Sequence, residues 1–474
     1  MSGTDEFDLV VLGAGPTGEN LADRARAGGL SVAIVERELV GGECSYWACM
    51  PSKAMLRPAA ALQEARRLPG ARAAITGGPD AEAVLRRRDV FASQWQDDGQ
   101  VAWLDSAGIV LVRGHGRLDG ARRVVVDCPG ATPRVLTARH AVAVCTGTRA
   151  ALPDLPGIEH AGVWTSREAT SAAHVPDRLA VVGGGAVAVE MATAWQALGS
   201  RVTLLARGRG LLPRLEPFAG DLVAAALRES GVDLRFEVSV TGLSRDGEAV
   251  LDLGGHGELR ADEVLFATGR RPATGDLGLE TVGLEPGGWI EVDDTGLALG
   301  AVGGWLYAAG DVNHRALLTH QGKYQGRVFG AVIADRAAGR ELDLAPWGRS
   351  VATADRVAVP QAVFTDPEVA SVGLTFAEAA AAGRRVRAVD YRIGDVAGAA
   401  LHADGYRGQA RAVIDLDRET VLGVTFVGSG VAELLHSATV AVVGEVPLSR
   451  LWHAVPAYPT ISEVWLRLLE AYRG

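Results

Sequence analysis

Cysteine is scarce in this chain. Four in 474 residues, Cys44, Cys49, Cys128 and Cys145, are too few for a secreted scaffold stapled by disulfides. Any two that stand close in sequence are therefore candidates for chemistry. No stretch reaches the ~18 consecutive apolar residues of a membrane-spanning helix, and the opening MSGTDEFDLVVLG places acids where an export signal needs a basic flank. A cytoplasmic protein without a membrane partner is the expectation. Net positive charge is lacking as well. The formal net charge is -10 and the pI about 5.6, which argues against nucleic acid and anionic lipid, since both select basic surfaces. A small-molecule partner fits better. Lysine is rarer still: of 47 basic side chains, only Lys53 and Lys323 are lysines. A chain so reliant on arginine keeps lysine where a compact point charge is wanted.

What the sequence has in abundance is glycine, 60 residues against a typical ~7%, with no collagen-like period. Hydrophobic residues at 48% and charged residues at 22% exclude disorder, and the length suits roughly three domains. Two segments repeat one plan: FDLVVLGAGPTGENLADRARAGGLSVAIVER from Phe7 and RLAVVGGGAVAVEMATAWQALGSRVTLLARG from Arg178. Each reads as a buried strand, a glycine turn, an amphipathic helix and a second strand. Gly13 falls on Gly183, Gly15 on Gly185 and Glu36 on Ala206. In such a unit the first glycine permits the bend, the second admits a pyrophosphate to the backbone, and the helix N-terminus supplies amide donors; Gly18 completes the first motif. Glu36, about 20 residues beyond the first glycine, suits a ribose with free hydroxyls. In the second unit the acid is replaced by Ala206 and followed by Arg207 and Arg209, which suits a 2′-phosphate and favours NADP(H) over NAD(H).

The densest chemistry is GGECSYWACMPSK, Gly41 to Lys53. On a regular helix Cys44 and Cys49 would be too far apart and too far rotated to bond, so a bonding pair requires distorted backbone. Gly41 and Gly42 before it and Pro51 after it supply the means. The two thiols read either as buried structural groups or as a redox pair docked on a flavin. A metal site lacks further ligands. Lys53 follows the pair, with Glu190 its candidate partner. Two echoes, VCTGTR with Gly147 and FATGRRP with Gly269, read as strand ends at crossings between nucleotide domains. The Gly310-Asp311 turn precedes a helix, where Asp311 is either an N-cap or a ligand to a ribityl or pyrophosphate group. Beyond about Trp347, short strands and two helical stretches suggest a separate α+β domain. Arg86, Arg87 and Arg88 read as a solvated helix face.

These motifs together, across essentially the whole chain, resemble the pyridine nucleotide-disulfide oxidoreductases. The resemblance implies an α/β fold with two Rossmann-like dinucleotide-binding domains and a C-terminal α+β dimerisation domain. It implies an FAD-binding domain over 1-152 and 272-346, an NAD(P)-binding domain over 153-271 and an interface domain over 347-474 that forms a homodimer. It makes Cys49 the flavin-proximal thiol, Cys44 the thiol that attacks substrate, and Lys53 and Glu190 the ion pair near the flavin. Gly116 matches the turn that meets the adenine, and Asp311 and Thr319 match FAD-contacting positions. The sequence departs from the family in HAVPAYPTISE. Where disulfide reductases carry a histidine before Pro-Thr, this chain has Tyr458, and Glu463 remains without an imidazole to orient. Phenols, with a reference pKa of ~10, do not cycle protons near neutrality as imidazoles of ~6.5 do. The C-terminal cysteine pair of mercuric reductases has no counterpart, since no cysteine follows Cys145. The expectation is an FAD enzyme that passes electrons from NADPH through a Cys44-Cys49 disulfide to a disulfide or thiol-reactive acceptor; the alternative is an NAD(P)H:quinone or metal-ion reductase.

Overall fold

The computed structural model describes residues 5-474. The first four, which begin the stretch read as lacking an export signal and the first expected domain, lie outside the described residues. Close contacts gather the chain into two units. One comprises Met1–Met50, Val90–Ala151 and Arg270–Arg356; the other comprises Pro51–Asp89, Leu152–Gly269 and Val357–Gly474.

The chain opens with β1 (Asp5–Leu12), α1 (Pro16–Ala27), β2 (Val32–Glu36), α2 (Gly42–Tyr46) and α3 (Cys49–Arg66), followed by β3 (Val110–Arg113), β4 (His115–Leu118), β5 (Arg123–Asp127), β6 (Arg134–Val144) and β7 (Thr148–Ala150). In the first unit β3, β2, β1 and β6 run parallel, β5 and β4 continue antiparallel, and Leu306–Ala308 pairs with the end of β6. Leu9 stands opposite both Val32 and Ala141, and Leu12 opposite Val35 and Val144. The apolar run of β1 is buried on both faces, as a central parallel strand must be. Leu9 and Val11 pack with Leu21, Ala25, Phe329 and Ile333, whereas Val10 and Leu12 pack with Val124 and Trp305. α1 lies against the Thr319–Ala337 helix. That crossing demands glycine: a Cβ on Gly326 would fall 2.7 Å from the Thr17 carbonyl oxygen, and one on Gly330 2.5 Å from that of Leu21.

The second unit contains the repeated plan. Arg178–Val182, Arg201–Ala206, Asp233–Phe236 and Glu263–Phe266 form a parallel sheet, and a three-stranded antiparallel sheet lies beside it in sequence. Trp195, wholly buried on the Ala186–Ala197 helix, packs among Leu179, Val202 and Leu204. The C-terminal portion is a five-stranded antiparallel sheet, with Val442 and Leu468 from two helices packed with Phe426. One expectation fails here. Arg88 is not on a solvated face: it is 2% exposed, its guanidinium donates to the carbonyls of Thr170 (3.1 Å) and Ala172 (2.8 Å), and Asp89 neutralises it. A buried guanidinium persists only when its donors are taken up in this way. Among the described residues, no helix is long and apolar enough to cross a membrane.

Candidate active site

The two cysteines sit on different helices. α2 ends at Trp47, whose φ of -137° leaves the helical region, and α3 begins at Cys49. The expected distortion is thus a helix break between the thiols, preceded by Gly41 and Gly42 at φ of +112° and +58°. The break brings the thiols within hydrogen-bond reach of each other. That contact, followed by burial and the charge of Cys49, pushes the Cys44 thiol well above its ordinary range; Thr319 and Lys323 oppose the shift. Two sulfurs so close cannot both ionise readily. Thr319, the first residue of the Thr319–Ala337 helix, brings its hydroxyl within 3.3 Å of the Cys49 sulfur.

At the first glycine turn of this unit, Gly13 has a φ of +100°, and a Cβ there would lie 2.6 Å from the Cys145 carbonyl oxygen. Gly15 caps α1 without a side-chain acceptor, and a Cβ on Gly42 would meet the Gly15 Cα at 2.9 Å. Only glycine at position 42 lets the chain pass so close to the start of α1. Glu36 closes β2 with both oxygens occupied, accepting from the amides of Ala14 (2.8 Å) and Glu38 (2.8 Å). Each oxygen keeps a lone pair for a ribose hydroxyl. Asp311 follows Gly310 (φ +80°); burial raises its carboxyl pKa, while the hydroxyl of Thr148 and the Arg270 guanidinium oppose the rise. Thr148 donates to it at 2.7 Å. The two glycine echoes meet as a ribbon, β7 pairing antiparallel with Arg270–Pro272 just beyond Gly147 and Gly269. Arg270 donates to Glu43 and to the Thr148 carbonyl oxygen.

In the other unit, Lys53 donates to Glu190 at 2.7 Å, with Glu190 almost fully buried. The second Glu190 oxygen accepts from the amide of Phe364 at 3.0 Å, over whose ring Lys53 lies 5.1 Å from the centroid. A buried carboxylate with one cation and one amide is compensated rather than stranded. The second glycine turn keeps the first one's form: Gly183 has a φ of +141°, and Gly185 opens the Ala186–Ala197 helix with no side-chain cap. The following strand ends at a buried Ala206. Arg207 beyond it is exposed, and Arg209 is held by Glu237 at 2.9 Å.

A family model described as pyridine nucleotide-disulphide oxidoreductase matches residues 7–326, and the dimerisation domain of that family matches 359–468. The chain belongs to the pyridine nucleotide-disulphide oxidoreductases. It is accordingly a pyridine nucleotide-dependent flavoprotein oxidoreductase with two Rossmann-like nucleotide folds and a C-terminal dimerisation domain. This oxidoreductase is 33% identical over 464 residues to a mercuric reductase of Acidithiobacillus ferrooxidans, covering 97% of this chain and 81% of that protein. It is 31% identical over 494 residues to a dihydrolipoyl dehydrogenase of Haloferax volcanii, covering 98% and 96%. In fold it matches the Cu(II) complex of the HOCl-induced flavoprotein disulfide reductase RclA from Escherichia coli with a TM-score of 0.83 at 24% identity, covering 98% of this chain and 99% of that one.

The residues present fit the flavin nucleotide the family binds. The glycine cradle is backed by backbone on both sides, Glu36 is aimed at its edge, and the buried Thr146 hydroxyl in VCTGTR has no protein partner. Gly116 differs from expectation: it lies within β4 and not in a turn, and a Cβ there would press on Leu12 and Val35 at 2.9 and 3.0 Å. Near the C-terminus of the chain, Tyr458 is 76% exposed, and Glu463 is bound by Arg467 at 2.6 Å. Sequence reasoning passed over Arg270 and Glu43, although the TGRRP echo was the signal for the first.

Proposed function

We propose that this oxidoreductase passes electrons from NADPH through FAD to the Cys44-Cys49 disulfide, and from the resulting dithiol to a disulfide or thiol-reactive acceptor. The carrying observation is the paired thiols across the helix break, with the Thr319 hydroxyl against the Cys49 sulfur. Cys44, once ionised, attacks one sulfur of the acceptor and releases the other as a thiol. Cys49 then displaces the second thiol and closes the Cys44-Cys49 bond, so two electrons and two protons leave the pair. Glu36, Asp311, Thr319 and the turns at Gly13, Gly15, Gly18, Gly42, Gly147 and Gly310 hold the FAD, with Gly116 in β4 at its adenine end. Gly183, Gly185, Arg207 and Gly269 serve the NADPH. Lys53, fixed by Glu190, is the cation that favours a thiolate at Cys49.

In this reading the FAD-binding domain spans 1-152 and 272-346, the NAD(P)-binding domain 153-271 and the interface domain 347-474, and two copies form a homodimer in the cytoplasm. One observation favours a second reading, reduction of a quinone or metal ion. Glu463 is engaged by Arg467, and an exposed phenol at Tyr458 takes the place of the imidazole that a thiol exchange employs. Anaerobic titration with NADPH, followed by a screen of disulfides, quinones and metal ions against wild type, Cys44→Ser and Cys49→Ser, decides between them. Loss of disulfide turnover in both variants supports the first. Full activity of both variants with every acceptor removes the thiols from the electron path. A folded preparation that takes up no flavin refutes both.

A further inference from the structure

The five-residue α2 helix that carries Cys44 is far too short to hold its own place in water, and its N-cap, Gly41, offers no side-chain acceptor. Its position must come from tertiary contacts. Glu43, immediately before Cys44, makes such a contact through its carboxylate with the Arg270 guanidinium. The same guanidinium donates to the Thr148 carbonyl oxygen at 2.9 Å and, through Nε, to the Thr148 hydroxyl at 2.5 Å. That hydroxyl donates onward to Asp311 at 2.7 Å, with Arg270 Nε itself 3.9 Å from the same carboxylate. The side chains of Arg270, Glu43 and Asp311 are 23%, 20% and 25% exposed. One cation thus faces two largely buried carboxylates from different segments.

We propose that Arg270 is the positioning residue of the thiol site, a fork that ties the turn bearing Cys44 to the Thr148-Asp311 side of the cofactor cradle. The planar guanidinium suits this role because it can serve several acceptors in fixed directions, which a lysine ammonium cannot. Removing it leaves Glu43 and Asp311 facing each other without a counter-charge, and α2 without its anchor. Cys44 then samples positions away from Cys49, and the pair closes less readily. The proposal rests on the reading of Cys44 and Cys49 as a redox pair.

The test is the equilibrium between FAD-loaded protein and glutathione, in which protein dithiol and glutathione disulfide give protein disulfide and two glutathione thiols. Trapping by alkylation and mass spectrometry reads the effective concentration of one thiol at the other. Arg270→Gln and Glu43→Gln should each lower it about tenfold or more, as expected for loss of a charge-assisted bond that holds one reacting group in place. The double variant should fall no further than the lower single, because the two side chains act as one unit. Arg271→Gln, exposed on the same ribbon, should leave it unchanged. If Arg270→Gln does not fold, Arg270→Lys and Glu43→Gln carry the test, with Arg270→Lys losing part of the effect. A value within twofold of wild type in the Arg270 and Glu43 variants, or additive losses in the double, overturns the proposal alone. Wild-type protein that closes no disulfide at any glutathione ratio overturns the redox reading and this proposal with it.

Discussion

At the scale of single residues, the proposed preference for NADPH rests on Ala206 and Arg207. The strand ends at a buried alanine where the first unit has Glu36, so no acid is offered to a 2′-hydroxyl. An arginine paired with a 2′-phosphate contributes roughly 1.5–3 kcal/mol, which corresponds to at least about a tenfold preference for NADPH in kcat/KM. Steady-state kinetics should show that preference in the wild type and its loss in Arg207→Ala. Equal use of both coenzymes by the wild type would refute the assignment. Tyr458 is the second residue whose identity matters. Under the disulfide reading, Tyr458→His should raise turnover of small disulfides by up to about 10²-fold, the lower end of general acid–base gains. Arg467 competes for the orienting Glu463, so the gain should be larger in Tyr458→His combined with Arg467→Ala than in Tyr458→His alone. No gain in either would favour quinone or metal-ion reduction.

Between elements, the Thr319–Ala337 helix does two things at once. Its first residue touches Cys49, and its middle packs so closely on α1 that only glycine fits. It also covers Asp355, to whose carboxylate Gln321 donates at 3.0 Å. Burial, opposed by Arg315, pushes the Asp355 carboxyl up to about 7. The folded protein therefore holds a proton there that the unfolded chain releases near ~4. Between about pH 4 and 7 the folded state binds more protons, so this group's contribution to stability falls as pH rises, by up to about 1.4 kcal/mol per pH unit. Urea unfolding at several pH values across that window should show a flatter pH dependence for Asp355→Asn than for wild type. Identical slopes would show that Asp355 ionises normally.

For the molecule as a whole, the exposed side chains of the C-terminal domain carry the expectation. Val440, Val443, Val455 and Tyr458 are 54%, 37%, 86% and 76% exposed, an unusual cost for one chain alone but ordinary for surface that a second copy covers. Sedimentation at micromolar concentration should find a species of twice the 49.4 kDa chain mass. A species at the chain mass alone would contradict the homodimer.

Short-range pattern was enough for the two strand–turn–helix units, because their apolar runs and glycine spacing are local properties of the backbone. The same holds for the thiol segment, whose glycines and proline announced a broken helix before the break at Trp47 was visible. The acid at Glu36 and its absence at Ala206 were equally legible. What sequence could not supply was the company that distant residues keep. Arg88 looked like one of three solvated arginines until two carbonyls more than 80 positions away took up its donors. Gly116 looked like a turn because strand pairing and the packing of Leu12 and Val35 lie outside its neighbourhood. Arg270, Thr148, Glu43 and Asp311 come from four separate stretches. A guanidinium's role depends on which carboxylates the folded chain brings to it, and only the tertiary structure decides that.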